Sequence, residues 1–130
     1  MARILVVDDQ EDIRETTSLA LRQGGHDVVT AADGMEAIAA VREHRPDLVL
    51  MDIEMPRLDG WEALRMLRMD ETGRHLPVAM FTILFDLREK VRALKYGAQD
   101  YITKPFSIDE LLERVDHILG SVAAGGLEGR

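Results

Sequence analysis

Short apolar runs alternate with segments of helical periodicity five times along this 130-residue chain. The first run, Ile4-Leu5-Val6-Val7, stops at Asp8-Asp9. Behind it Ile13, Thr17, Ala20 and Leu21 recur at helical spacing, and Gly24-Gly25 predict the stop. The second run, His26 to Ala31, is shorter and more polar, as suits a strand at a sheet edge. Asp33 is placed to cap a helix whose apolar face is Ala37, Ile38 and Val41, with Pro46 closing the following turn. The third run, Leu48 to Met51, is apolar throughout and ends on Asp52, which predicts a strand buried on both faces. Gly60 leads into a helix bearing Trp61, Leu64 and Leu67, ended by the polar segment 70–75. Pro77 opens the fourth run, Val78 to Phe81, which ends on Thr82. A helix carrying Leu87, Val91 and Leu94 follows, with Gly97 as its C′ residue. The fifth run, Tyr101-Ile102-Thr103, ends on Lys104-Pro105. Last, Ser107 and Glu110 form an S-x-x-E capping box before a helix with Leu111, Leu112, Val115 and Leu119.

Strands alternating with helices at this spacing predict βαβ units, hence a doubly wound α/β domain with a parallel sheet and helices on both faces. One domain is expected over residues 1–120, with 121–130 a flexible tail or the start of a linker. The 46% hydrophobic and 31% charged content fits a globular chain rather than a disordered one. The absence of cysteine excludes disulfides, zinc-thiolate sites and thiol nucleophiles. No apolar run approaches the roughly 18 residues of a membrane helix. The start, MARILVVDD, turns acidic too early for a signal peptide, so a cytoplasmic location is expected. A net charge of −8 repels a phosphate backbone, so neither nucleic acid nor membrane is an expected partner of this chain alone.

Ligands of open α/β sheets bind at the carboxyl ends of the strands. The polar residues ending four of the runs are Asp8 and Asp9, Asp52, Thr82 and Lys104. Clustered carboxylates raise one another's pKa values unless a cation joins them. An oxygen-only set with no His or Cys favours a hard ion, and few carboxylates with room for water favour Mg²⁺. Lys104 would add a second positive charge, and Thr82 a hydroxyl donor to a phosphoryl oxygen. Taken singly, each residue has a plainer explanation. Asp8-Asp9 suit a turn or N-cap, Asp52 a turn, and Lys104 a surface position. Joint placement at four strand ends favours an aspartyl-phosphate site with Asp52 as nucleophile.

The pieces ILVVDD (4–9), LVLMDIEMPRLDG (48–60), MFT (80–82) and GAQDYITKPF (97–106) together resemble the receiver domain of two-component response regulators over residues 2–119. The resemblance implies a flavodoxin-like five-stranded sheet in the order 2-1-3-4-5, a topology the chemotaxis regulators exemplify. It implies that Asp52 takes a phosphoryl group from a histidine kinase or phosphotransfer protein. Asp9 and Asp52 would bind Mg²⁺ directly, Asp8 largely through water, and the backbone carbonyl of Glu54 would add a ligand. Thr82 and Lys104 match the switch hydroxyl and the phosphoryl-binding lysine, and Tyr101 the aromatic whose rotamer follows the threonine. The Lys104-Pro105 bond would be cis. Phosphorylation would shift the surface of helix four, strand five and helix five toward a target, an output domain or a second copy. Such chains promote their own phosphorylation but turn over no free substrate.

One departure stands out. The residue after the switch threonine is usually small in this family, whereas here it is Ile83, followed by Leu84 and Phe85. A bulky side chain there would crowd the phosphoryl pocket or hinder attacking water, slowing autodephosphorylation or altering phosphodonor access, and Glu54 is a second candidate for modulating the water path. Three other functions compete. A receiver-like interaction module that no longer accepts phosphate remains open. An aspartate-nucleophile phosphatase would call for D-x-D after the first strand, where this chain has an adjacent acid pair. A nucleotide-binding domain would call for a G-x-G-x-x-G or Walker loop, and neither is present.

Overall fold

The computed structural model describes residues 2–82, 87–104 and 107–128. The elements run β1 (Arg3–Val7), α1 (Glu11–Gln23), β2 (Asp27–Ala31), α2 (Gly34–His44), β3 (Leu48–Met51), α3 (Gly60–Met69), β4 (Val78–Thr82), α4 (Leu87–Lys95), β5 (Asp100–Thr103) and α5 (Ile108–Glu128). The five strands form one sheet in the order β2-β1-β3-β4-β5, and every neighbouring pair is parallel. This is the predicted doubly wound topology, with the more polar β2 at an edge.

The apolar run of β3 is buried along its whole length. Because side chains alternate across a strand, its residues divide between two cores. Val49 and Met51 join Ala37, Ile38 and Val41 of α2 and Trp61, Leu64 and Leu67 of α3. Leu48 and Leu50 join Ala20 and Leu21 of α1 and Leu111, Val115 and Ile118 of α5. A continuous apolar run is therefore required at this strand, since neither face meets water.

Strand register places the site. Val7 lies opposite Met51, and Met51 opposite Met80. The residues following β1 and β3, Asp8 and Asp52, thus emerge side by side at one sheet edge. The ladder continues into them, since Asp8 N–H donates to the Ala31 carbonyl (3.1 Å) and Asp52 N–H to the Val7 carbonyl (3.0 Å). Asp33 caps α2 as predicted, its Oδ1 accepting from Glu36 N–H at 2.9 Å. Asp59 does the same for α3. Gly97 takes φ +88° after α4, a conformation that favours glycine. Glu110 N–H donates to Ser107 Oγ at 3.1 Å, forming one half of the predicted capping box.

Two elements differ from the sequence expectation. Val91 and Leu94 of α4 are 44% and 54% exposed, and it is Ala93 that enters the core. The 3.6-residue period identifies a stripe, but which stripe meets the sheet depends on how the helix is rotated in place. The second difference concerns α5, whose backbone continues to Glu128 where the composition suggested an end near Leu119. Once nucleated, a helix gains one hydrogen bond for each residue added, which offsets the poor propensity of its glycines. Among the described residues, no helix is long and apolar enough to cross a membrane.

Candidate functional site

Carboxylate oxygens of Asp8, Asp9 and Asp52 all lie within 4.8 Å of one another. Asp8 and Asp52 are buried, and Asp9 is exposed at the mouth. Lys104, following β5, reaches across this cluster. Its backbone N–H donates to the Thr82 carbonyl (2.8 Å), which fixes where its side chain begins. Its Nζ then lies 2.7 Å from Asp8 Oδ2 and 3.5 Å from Asp52 Oδ2. The ammonium also sits 5.0 Å from the centroid of the Phe81 ring, whose π face favours a cation in a buried site.

Asp52 is held by short-range donors. The Ile53 N–H donates to its Oδ1 at 2.7 Å, and the fully buried Thr82 hydroxyl makes a second side-chain hydrogen bond. Burial nevertheless pushes the Asp52 carboxyl above the usual carboxylate range, and the negative charge of Asp8 adds to the rise. Lys104 and the two hydrogen bonds oppose it without cancelling it. The Asp52 carboxylate is thus short of compensating positive charge. Backbone contacts secure Asp8: its Oδ1 accepts from Gln10 N–H (3.0 Å), while its carbonyl accepts from Arg14 Nη1 (2.8 Å).

The loop after Asp52 folds back on it. Gly60 N–H donates to the Ile53 carbonyl at 2.8 Å, and a Cβ on Gly60 would stand 2.2 Å from the Asp52 carbonyl oxygen. Only glycine permits this approach. Beside the acidic cluster, Asp9, Ile53, Glu54, Met55, Pro56 and Asp59 line an open cleft of about 490 Å³. Glu54 thus reaches the same opening as Asp9. Tyr101 of β5 is buried in the core, opposite Met80 of β4 and two strands from β3, which Asp52 follows. Ile83, Leu84 and Pro105, which sequence reasoning singled out, lie outside the described residues.

The donor set suits a hard divalent cation. One ammonium serves both Asp8 and Asp52, Asp9 adds a third carboxylate, and the converging donors are all oxygens. Sequence reasoning missed Arg57, which ion-pairs with Asp33 from a left-handed backbone conformation (φ +66°). No residue pattern around Pro56-Arg57-Leu58 announces a positive φ at an arginine, so no sequence signal was available.

Residues 4–116 match the family model for the response regulator receiver domain. Response regulator MprA of Mycobacterium sp. (strain KMS) is 44% identical over 117 residues, which cover 90% of this chain and 50% of that protein. The DNA-binding dual master transcriptional regulator RpaA of Synechocystis sp. is 39% identical over 119 residues, covering 92% of this chain and 49% of that protein. The chain therefore spans about half the length of these relatives. Among solved structures, the chemotaxis protein CheY4 of Vibrio cholerae aligns with a TM-score of 0.86 and 34% identity, covering 91% of this chain and 98% of that one. NtrX from Brucella abortus aligns with a TM-score of 0.92 and 35% identity, covering 98% of this chain and 29% of that one. Receiver domains bind Mg²⁺ at an acidic pocket of this kind, and the aspartate cluster fits one. The aligned strand ends, the buried lysine and these relatives agree: the chain belongs to the response regulator receiver domains, the phosphoacceptor switches of two-component signalling.

Proposed function

We propose that Asp52 is the phosphoryl acceptor of this receiver, with a histidine kinase or phosphotransfer protein as donor. The observation that carries the assignment is the convergence of Asp8, Asp9 and Asp52 within 4.8 Å beside the Lys104 ammonium. Asp52 Oδ1 accepts from the Ile53 N–H, and Oδ2, the oxygen nearer Lys104, attacks phosphorus. The new O–P bond forms as the bond from phosphorus to the donor's imidazole nitrogen breaks, and that nitrogen keeps the electron pair. Lys104 then neutralises a phosphoryl oxygen and Thr82 donates its hydroxyl to another. Asp8, Asp9, Asp52 and the Glu54 carbonyl would hold Mg²⁺, with Asp8 acting largely through water. A bound Mg²⁺ supplies divalent charge to the transferring oxygens.

Phosphorylation adds about −1.5 to −2 charges to the pocket. Thr82 moves toward them, and Tyr101 follows into the space it leaves. The resulting shift reaches α4, β5 and α5, where exposed Val91 and Leu94 supply apolar area for a downstream target, an output domain or a second receiver. Ile83 and Leu84, the bulky residues that follow Thr82 in the sequence, and Glu54 modulate the lifetime of the acyl phosphate. The protein acts in the cytoplasm as a switch without turnover of a free substrate. Residues 1–120 carry this activity.

Incubation with Mg²⁺ and a small phosphodonor, followed by intact mass measurement, tests the assignment. The wild type should gain one phosphoryl group and Asp52→Asn none. Equal labelling of both would overturn it.

A further inference from the structure

We propose that the Asp33–Arg57 ion pair is a latch that positions the 53–59 loop and thereby sets Mg²⁺ affinity. It deepens the acceptor-site assignment above and rests on it. Arg57 is an unusual place for strain. Its φ is +66°, and Leu58 N–H donates to the Pro56 carbonyl across it at 2.7 Å, a γ-turn of the rare positive-φ kind. A non-glycine residue keeps such a conformation only where its surroundings over-determine it.

Those surroundings are the start of α2. Asp33 uses Oδ1 to cap that helix and Oδ2 to receive Arg57 Nη2. The arginine side chain is 70% exposed, whereas the carboxylate is 2% exposed. A buried charge is costly when left unpaired, so the aspartate holds the arginine more firmly than a surface pair would. Gly34, the next residue, brings the two segments together, because a Cβ there would lie 2.6 Å from the Leu58 carbonyl oxygen. The loop is therefore fixed at two points. Gly60 ties its end to Ile53 and Asp52, and Arg57-Leu58 tie its middle to α2. Between these ties run Glu54, Met55 and Pro56, which share the cleft with Asp9. A carbonyl offered from this stretch is only as well placed as the latch makes it.

Charge alone predicts a different result. Removing the Arg57 cation would strengthen Mg²⁺ attraction, and neutralising Asp33 would weaken it. A positioning role weakens binding in both cases. Isothermal calorimetry of Mg²⁺ with the full chain separates the two, using wild type, Arg57→Gly, Arg57→Lys, Asp33→Asn and the double variant Asp33→Asn/Arg57→Gly. Glycine relieves the positive φ, asparagine keeps the helix cap, and lysine keeps the charge. Arg57→Gly and Asp33→Asn should each weaken binding about tenfold, the lower end for groups that orient ligands. Arg57→Lys should retain most of the affinity, and the double variant should bind no worse than the weaker single variant. Thermal unfolding without Mg²⁺ serves as the control for folding. The latch is overturned if Arg57→Gly binds as tightly as wild type or tighter, if the single losses multiply in the double variant, or if only unfolding shifts. Absence of Mg²⁺ binding by the wild type would overturn the site assignment and the latch with it.

Discussion

Helices α3 and α4 share one core on the same side of the sheet, but they are attached in different ways. α3 drives Trp61, Ala63, Leu64 and Leu67 inward, and its first residue rests against the Asp52 backbone. Among the described side chains of α4, Ala93 alone is buried. Further contacts of its described side chains lie at the periphery. Arg92 lies 4.7 Å from the Trp61 ring centroid and 5.5 Å from that of Tyr96, and the two rings meet edge to face at 5.7 Å. Just beyond the helix, Arg68 Nη2 donates to the Gly97 carbonyl at 2.6 Å. Burying area on the sheet locks a helix to the sheet, whereas gripping it through side-chain tips leaves room for it to shift. The firmly packed helix adjoins Asp52 and the loosely gripped one carries the exposed apolar surface. That division suits the proposed switch, in which the site holds still while the surface of α4 changes population.

The comparison breaks most directly by truncation. Leu64→Ala on α3 should cost about 3 kcal/mol in urea unfolding, because it empties a fully buried position. Leu94→Ala on α4 should change stability by roughly 0.5 kcal/mol or less, as a surface substitution does. Equal losses would mean that α4 is anchored as firmly as α3.

A finer cut removes the clamp between the two helices. Arg92→Ala should lose about 1 kcal/mol, the scale of a part-exposed cation–π contact. Hydrogen exchange should quicken at α4 amides while α3 amides keep their protection. Matching acceleration in both helices would sink the distinction.

The smallest effect has the opposite sign. Asp52→Asn should stabilise the chain by roughly 0.5–1 kcal/mol at neutral pH, the usual scale when an active-site strain is relieved. Burial raises the Asp52 pKa in the folded state. Between the ordinary carboxylate value and the raised one, the folded chain binds more protons than the unfolded chain, so stability falls as pH rises through that window. Above the window the penalty is constant, and below the ordinary value it disappears. Urea unfolding at neutral and at acid pH should therefore show the advantage of asparagine shrinking as the pH drops. An unchanged advantage at acid pH would rule out burial of charge as its source.

Much of this was legible in the chain itself. The uninterrupted apolar run of β3 demanded burial on both faces, and turn chemistry at Asp33, Gly60 and Gly97 marked helix ends that the structure keeps. Asp8, Asp52, Thr82 and Lys104 could be grouped in advance because parallel strands put their carboxyl ends on one edge. α4 was less legible, because Val91 and Leu94 are apolar for a surface and the sequence does not distinguish a surface from a core.

What the sequence determined by itself was therefore periodic and local: strand or helix, start or stop, and which residue ends each strand. What only tertiary structure decided was relational. It set the rotation of α4, the reach of Lys104 to Asp8 before Asp52, and the capture of Arg57 by Asp33. The physical reason is range. Backbone propensity and apolar periodicity act over a few residues, whereas the pairing of a buried charge depends on what the completed fold brings beside it.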